Sequence, residues 1–277
     1  MALSFLPWWF PLSVVIWVVQ MVIYHGVSYF FESCDRTGRL RRFKVREADR
    51  KTYWQLMPRV LFNQVFILLP CMVLVQVLGL AFVGTPHIGA LRFVLSMMAL
   101  MIAHDVVQYV AHRHLLHRGR FVRLLKHSVH HSTGASKAIS ACYMSGPDFF
   151  LEITLPYLLP LVLIGGGGSD FVFHSVIAGL GAVGGIYEHS GYDFSVLLPK
   201  SAIAARMPRF VTTLAAMITS HAHGQHHVKG NVSFSDGFGS PGICDSMFGT
   251  RWDLVEARER AAEKAGAKES EPDHAGA

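Results

Sequence analysis

The sequence has little of the charge on which soluble catalytic domains depend. Charged residues make up 16% of the 277 residues and hydrophobic residues make up 51%, and the mean hydropathy is +0.34. This composition is too apolar for an ordinary soluble domain. The sequence therefore predicts an integral membrane protein.

Several cofactor and metal motifs are also missing from the sequence. The four cysteines show no CxxC spacing, so we expect neither a disulfide framework nor a cysteine metal site. The chain has no GxGxxG motif for a nicotinamide, no cysteine set for an iron–sulfur cluster and no HExxH motif for a zinc hydrolase. The net charge of +6 comes from basic residues grouped in particular loops. It indicates membrane topology and gives no support for nucleic-acid binding.

Histidine, in contrast, is abundant and clustered. Six of the sixteen histidines lie in residues 111–131, a second group lies in HAHGQHH at 221–227, and His189 lies between them in EHSGYDF. Neutral imidazole is the commonest protein ligand for transition metals. Two triplets have the spacing HxxHH, so each could direct three nitrogens to one point from a single helix face. The triplets are His127, His130 and His131, and His223, His226 and His227. They predict a metal site.

Apolar stretches predict an all-α integral membrane protein with four to five membrane-embedded helices. The stretches are residues 8–31, 60–83, 90–111, 149–164 and 171–187. The first three are long enough to span about 30 Å of hydrocarbon. The last two are shorter and flank GGGGSD, which predicts a hairpin that dips into the membrane. No basic n-region or cleavage site marks the first stretch as a signal peptide, so we expect it to be an uncleaved span.

Basic residues predict the orientation of these spans. Residues 33–59 carry nine Lys or Arg, and the positive-inside rule makes this loop cytoplasmic. The N-terminus then lies outside, and all the histidine motifs form a histidine-rich cap on the cytoplasmic side. We expect one membrane domain over residues 1–255 and a polar, partly disordered tail over residues 256–277, where Ala, Glu, Lys and Arg dominate.

The end of the third span, HDVVQYVAHRH, carries polar residues on one face. Asp105, Tyr109 and His112 recur at i, i+4 and i+7. An ionisable residue at membrane depth is costly unless it faces a polar interior, so Asp105 is a functional candidate. We expect it to accept an N–H from a ligand histidine, with Tyr109 beside it in the catalytic region. The alternative is an interfacial Asp105 paired with a basic side chain such as Arg113.

The order of these motifs resembles the membrane fatty acid hydroxylase and sterol desaturase superfamily. The resemblance rests on DVVQYVAHRHLLH, KHSVHH, EHSGYDF, HGQHH, GNVSF and DSMFGT, and it covers about residues 52–253. LFNQ at 61–64 and EHSGYDF are similar to C4-methylsterol oxidases. The HxxxxH spacing of His112 and His117 is similar to fatty acid 2-hydroxylases. The motifs therefore point to two branches of the superfamily.

The resemblance implies a cofactor, a reaction and partners. It implies two iron ions bound mainly by histidine, O2 as co-substrate and a lipid whose unactivated C–H bond is hydroxylated or desaturated. The lipid would be a sterol with a C4-methyl group or, alternatively, a fatty acyl or sphingoid chain. Electrons would come from an external NAD(P)H-linked donor, either cytochrome b5 or a ferredoxin with its reductase. The membrane would be the endoplasmic reticulum of a eukaryote or the inner membrane of a bacterium.

The resemblance also implies a set of metal ligands. They are His112, His117, His127, His130, His131, His189, His223, His226 and His227. On a straight helix His112 and His117 lie about 140° apart, so their joint use requires the helix to end or distort between them. His114 and His221 fall outside this geometry. Two rival classes are a membrane zinc hydrolase, disfavoured by the missing HExxH, and a metal transporter, disfavoured because most ligands lie at span ends.

Overall fold

The computed structural model describes residues 10–49, 51–235 and 242–269. In this part of the chain five helices are long and apolar enough to cross a membrane. They are α1 (Leu12–Thr37), α2 (Tyr53–Val77), α3 (Ala90–Leu116), α4 (Gly146–Ile164) and α5 (Phe171–His189). Helix α1 packs along α5, and α3 packs along α4. The prediction of an all-α, multi-pass membrane protein is confirmed.

Shorter helices connect and follow these five. They are Arg41–Phe43, Gly119–Leu124, Ser128–His131, Ala138–Cys142, Ser195–Lys200, Ala202–Arg206, Pro208–Ile218, His221–Lys229, Ile243–Met247 and Trp252–Glu269. Within the described residues, β structure is confined to one isolated bridge between Lys44 and Tyr192. Residues 270–277, the end of the predicted tail, lie outside the described residues, as do residues 1–9.

Several predicted helix boundaries were wrong, most of all at the start of α2. Helix α2 begins at Tyr53 and not near residue 60, because Thr52 and Gln55 form a capping box that starts the helix among polar residues. Helices α4 and α5 have 19 residues each, so they are longer than the predicted hairpin arms and long enough to span. The start of α4 was missed because its first turns contain Asp148 and Glu152.

All the histidine motifs lie at one end of the helix bundle, together with the basic segment between α1 and α2. Arg46 of that segment donates hydrogen bonds to the backbone carbonyls of Ala135, Glu188 and Ser220, at 2.7 to 3.1 Å. Ala135 follows the first triplet, Glu188 directly precedes His189, and Ser220 precedes the second triplet. One guanidinium therefore ties together the segments that carry the histidines. The predicted cytoplasmic loop and the histidines share one end of the molecule.

Three of the membrane helices contain a π turn, in which the chain takes up an extra residue. The π turns are Gln64–Leu68 in α2, His112–Leu116 in α3 and Phe150–Thr154 in α4. The α4 turn packs against the other two. A π turn changes the face that the following residues present, and such turns are frequent at functional sites.

Candidate metal centre

Nine histidines form two clusters at this end of the bundle. In each cluster, ring nitrogens lie within 4.8 Å of one another. Cluster A consists of His112, His117, His127, His131 and His226, and cluster B consists of His130, His189, His223 and His227. These are the nine residues predicted as ligands. His114 and His221 belong to neither cluster: the His221 ring packs on Trp252, and the His114 ring lies 6.2 Å from that of Tyr109. His174 also lies outside the clusters and donates a hydrogen bond to the Gly168 carbonyl.

The π turn of α3 brings His112 and His117 into the same cluster. The backbone N–H of His117 bonds the carbonyl of His112, five residues earlier, at 3.0 Å. The chain therefore widens at this point, and the side chain of His117 turns toward that of His112. The helix distortion that the sequence required between the two residues is confirmed.

Neither HxxHH triplet converges on a single point. Cluster A takes His127 and His131 of the first triplet and His226 of the second, and cluster B takes the other three. On a helix, positions i and i+4 differ by about 40°, whereas i+3 lies about 60° to the other side of i. Each triplet can therefore face two sites. The outer pair goes to one cluster and the middle histidine goes to the other.

Backbone carbonyls determine the protonation of several rings. The Nδ1 atoms of His112 and His226 each lie 2.7 Å from a carbonyl oxygen, of Phe234 and Val232 respectively. A carbonyl oxygen only accepts hydrogen bonds, so each Nδ1 carries the proton and the neutral ring leaves Nε2 with a lone pair. In cluster B, His189 donates in the same way to the Gly185 carbonyl at 2.9 Å.

The donor arrangement fits a metal ion in each cluster. The Nδ1 of His127 lies 2.8 Å from a carboxylate oxygen of Asp148 and donates its proton to that oxygen. The Nε2 of His127 therefore has a lone pair, and this Nε2 lies 3.3 Å from the Nε2 of His112. Two lone pairs at this distance repel unless a cation lies between them. Two ligands at a right angle, each about 2.1 Å from a metal, would be about 3.0 Å apart. Neighbouring Nε2 atoms in the clusters are 2.9 to 3.3 Å apart.

Burial favours the neutral form of five clustered histidines that lie outside the membrane helices. Burial and neighbouring rings lower the pKa of His117 to about 3 and that of His131 to about 4. Burial holds the pKa of His130, His223 and His226 well below the ordinary histidine value. A histidine binds a metal through its neutral form. The rings are therefore in the form that metal binding requires at physiological pH.

Asp148 and Glu152 are buried acids that sequence reasoning missed. Asp148 is 0% exposed and bonds His127. One oxygen of Glu152, Oε1, lies 3.5 Å from the Nε2 of His130 in cluster B and 3.9 Å from that of His112 in cluster A. A sequence signal existed, because two acids at i and i+4 open an apolar helix. The cost of charge at membrane depth, which singled out Asp105, applies equally to them.

Asp105 and Tyr109 lie behind the clusters. The oxygens of buried Asp105 accept the backbone N–H groups of Ile243 and Cys244 at 3.0 and 2.9 Å. The Tyr109 ring lies 6.0 Å from that of Phe234, whose carbonyl accepts the proton of His112. Both residues support the segment that follows the second triplet. The catalytic role of Asp105 and Tyr109 stays a prediction. We expected Asp105 to accept an N–H from a ligand histidine, but the carboxylate that bonds the Nδ1 of His127 is that of Asp148.

Five apolar helices with two buried histidine clusters at one end are the features of a membrane metalloprotein. A model of the family described as "Fatty acid hydroxylase" matches residues 97–250, which is just over half of the 277 residues and includes all nine clustered histidines. The chain belongs to the fatty acid hydroxylase family, whose members are oxygenases of the di-iron type. The family inferred from the motifs is thus confirmed. Comparisons with curated proteins and with solved structures gave no match.

Proposed function

We propose that this protein uses two iron ions and O2 to oxidise an unactivated C–H bond of a membrane lipid. The observation that carries the proposal is the convergence of unprotonated Nε2 atoms in two adjacent clusters. Imidazole-rich sites suit iron among other transition metals. Iron would supply the oxidising chemistry that no amino-acid side chain provides. The protein's own residues hold the metal, exclude water and position the lipid.

A groove at membrane depth supports a lipid substrate. It has a volume of about 220 Å³ and lies between α3, α4 and α5. Residues that line it include Leu100, His104, Pro156, Leu161, Ile177 and Gly181. Pro156 lies one turn after Glu152 on α4, so this part of the groove is about 6 Å along the helix axis from the carboxylate that faces both clusters. An apolar chain in this groove would lie along α4 toward the metal centre.

Gly181 opens the middle of this groove. A Cβ built at this position would meet nothing within 4 Å. A Cβ built at Gly185, one turn later on α5, would lie 3.8 Å from the Ala141 side chain. Gly181 therefore leaves space for a ligand on the face of α5 that lines the groove.

Within the lipid class, we favour a sterol or sterol-like C4-methyl substrate. LFNQ and EHSGYDF support this choice, and His189 of the second motif belongs to cluster B. The alternative is a fatty acyl or sphingoid chain. It is supported by the HxxxxH spacing of His112 and His117, which the π turn accommodates, and by the apolar groove, which suits an extended chain.

A basic surface beside cluster A supports an external electron donor. Between His117 and His127 the chain exposes Arg118, Arg120, Arg123 and Lys126. Such a patch attracts an acidic protein by charge complementarity. We propose that cytochrome b5 or a ferredoxin, reduced through an NAD(P)H-linked reductase, docks here. The positive-inside rule supports a site on the cytoplasmic face of the endoplasmic reticulum or of a bacterial inner membrane.

The proposal is tested by metal analysis of the purified full-length protein together with lipid mass spectrometry of cells that do or do not express it. We expect about two irons per chain, and a lipid that gains one oxygen atom or, for desaturation, loses two hydrogens. The identity of that lipid distinguishes sterol from acyl substrates. His226→Ala should abolish the lipid change, whereas His114→Ala should retain it. Zinc without a lipid change in freshly prepared protein would overturn the oxygenase.

A further inference from the structure

Glu152 faces both histidine clusters at once. Its Oε1 lies 3.9 Å from the Nε2 of His112 in cluster A and 3.5 Å from the Nε2 of His130 in cluster B. The side chain is only 4% exposed. Asp148 takes a different place, because it bonds the Nδ1 of His127, on the side of the ring away from the cluster.

Ordinary hydrogen bonding does not account for this carboxylate. The Nε2 of His112 has a lone pair, because the Nδ1 proton is donated to the Phe234 carbonyl, so Glu152 meets an acceptor there. Its Oε2 is buried and lies 3.4 Å from the Nδ1 of His127, whose proton is donated to Asp148, and it makes no hydrogen bond to any described residue. A carboxylate charge buried without donors or a cation is costly. Nearby cations would remove that cost.

The backbone places Glu152 at this boundary. It lies in the middle of the π turn Phe150–Thr154, which packs against the π turn of α3 that carries His112. Asp148, in the turn before it, lies 2.8 Å from the Nδ1 of His127. The π turn therefore directs Glu152 at the histidines of both clusters.

We infer that Glu152 is a metal ligand whose carboxylate bridges the ions of clusters A and B. This inference rests on the proposed dinuclear iron centre. A carboxylate oxygen is a hard, negatively charged donor, and it would add charge neutralisation to nine neutral imidazoles. A bridge would also couple the two ions electronically.

The test uses full-length protein purified in detergent, loaded anaerobically with ferrous iron, with iron content, iron affinity and integer-spin EPR as readouts. In Glu152→Gln we expect iron affinity at one or both sites to fall by about tenfold or more and the signal of a coupled diferrous pair to disappear. Glu152→Asp keeps the charge on a shorter side chain, so its iron affinity should lie between those of the wild type and Glu152→Gln. Asp170→Asn is the matched control, since Asp170 is a buried acid that caps α5 at the other end of the bundle.

The outcomes separate this inference from the proposed function. Unchanged iron affinity and an unchanged coupled signal in Glu152→Gln would overturn the bridge, even if the wild-type protein oxidises a lipid. A weakened but still coupled pair would show that Glu152 only orients a histidine, which also overturns the bridge. Loss of coupling in Glu152→Gln would support the bridge even if no lipid change is found in cells.

Discussion

The rings of His112 and His117 lie 4.9 Å apart, although the two residues are five positions apart on a helix. The π turn at His112–Leu116 produces this contact. Cluster A therefore depends on a backbone irregularity in α3 as well as on histidine spacing. The hydrogen bond from His112 to the Phe234 carbonyl also holds this helix end, and it links cluster A to the segment after His227, the last clustered histidine.

The division of each triplet between two clusters predicts the outcome of double substitutions. His131 and His226 come from different triplets but share cluster A, whereas His131 and His223 lie in different clusters. His131→Ala with His226→Ala should leave about one metal per chain, because cluster B is intact. His131→Ala with His223→Ala should weaken both sites. Elemental analysis after dialysis measures this, with His114→Ala as control. Equal losses in the two pairs would contradict the division.

Replacing Asp148 by asparagine should weaken metal binding without altering any proposed histidine ligand. The change removes the negative charge that orients His127 through a 2.8 Å bond. Loss of such an outer partner typically lowers metal affinity by about 10-fold to 100-fold. Competition with a chelator measures the effect. Asp170→Asn, at the opposite end of the bundle, should bind metal like the wild type; if both variants lost metal equally, a general loss of stability would be the cause.

Filling the groove should change substrate use and leave the metal centre intact. Gly181→Phe adds a ring where a Cβ meets nothing within 4 Å, in the part of α5 that lines the groove. We expect turnover of the identified lipid to fall at least about tenfold, or to shift to a shorter substrate, because the ring occupies the space of the chain. Iron content should not change. Val172→Phe, on the exposed surface of the same helix (60% exposed), should leave turnover unchanged. Wild-type kinetics in Gly181→Phe would place the substrate elsewhere.

The metal-free protein should lose stability as the pH falls below 6.5, which is the ordinary pKa of a histidine side chain. In the folded protein, burial lowers the pKa of His117 from 6.5 to about 3 and that of His131 to about 4. Between those values and 6.5 the unfolded chain binds protons that the folded chain does not, so acid favours unfolding. Above pH 6.5 both states are neutral and the effect vanishes. Each histidine contributes a slope of about 1.4 kcal/mol per pH unit.

Thermal unfolding of metal-free protein in detergent, followed from about pH 7.5 to about pH 4.5, measures this effect. His117→Gln should reduce the slope of the unfolding midpoint against pH, because one of the titrating groups is gone. A midpoint that does not fall with pH, or falls equally in the variant, would contradict the role assigned to these histidines.

Replacing Gly191, the glycine of EHSGYDF, should destabilise the protein. Its φ is +76°, and a Cβ would lie 2.5 Å from the backbone oxygen of Arg46. Gly191→Ala therefore forces apart the segment whose guanidinium ties the histidine motifs together, and we expect a loss of about 2 kcal/mol or more in unfolding free energy. Gly26→Ala in α1, where a Cβ meets nothing within 4 Å, is the control. Equal unfolding midpoints for the two variants would contradict this account.

Much of the architecture follows from the sequence, because hydropathy and residue spacing act locally. Twenty or so apolar residues satisfy their backbone groups only as a helix in a membrane, which gave the first three spans and located the last two helices, although these were predicted as short hairpin arms. Histidines at i, i+3 and i+4 share one side of a helix, and this spacing gave six residues of the two clusters; His112, His117 and His189 came from the family resemblance. Boundaries were less certain where polar residues begin a helix, as at Tyr53 and Gly146.

The tertiary structure decided how these residues are combined. Whether a nitrogen of His130 or of His131 joins cluster A depends on a rotation of about 100° about the helix axis and on which helices stand opposite. The partners of Asp105, the approach of Asp148 to His127 and the place of Glu152 between the clusters arise from contacts across tens or hundreds of residues. Sequence spacing determined which side chains are available, and the packing of separate helices determined which of them meet.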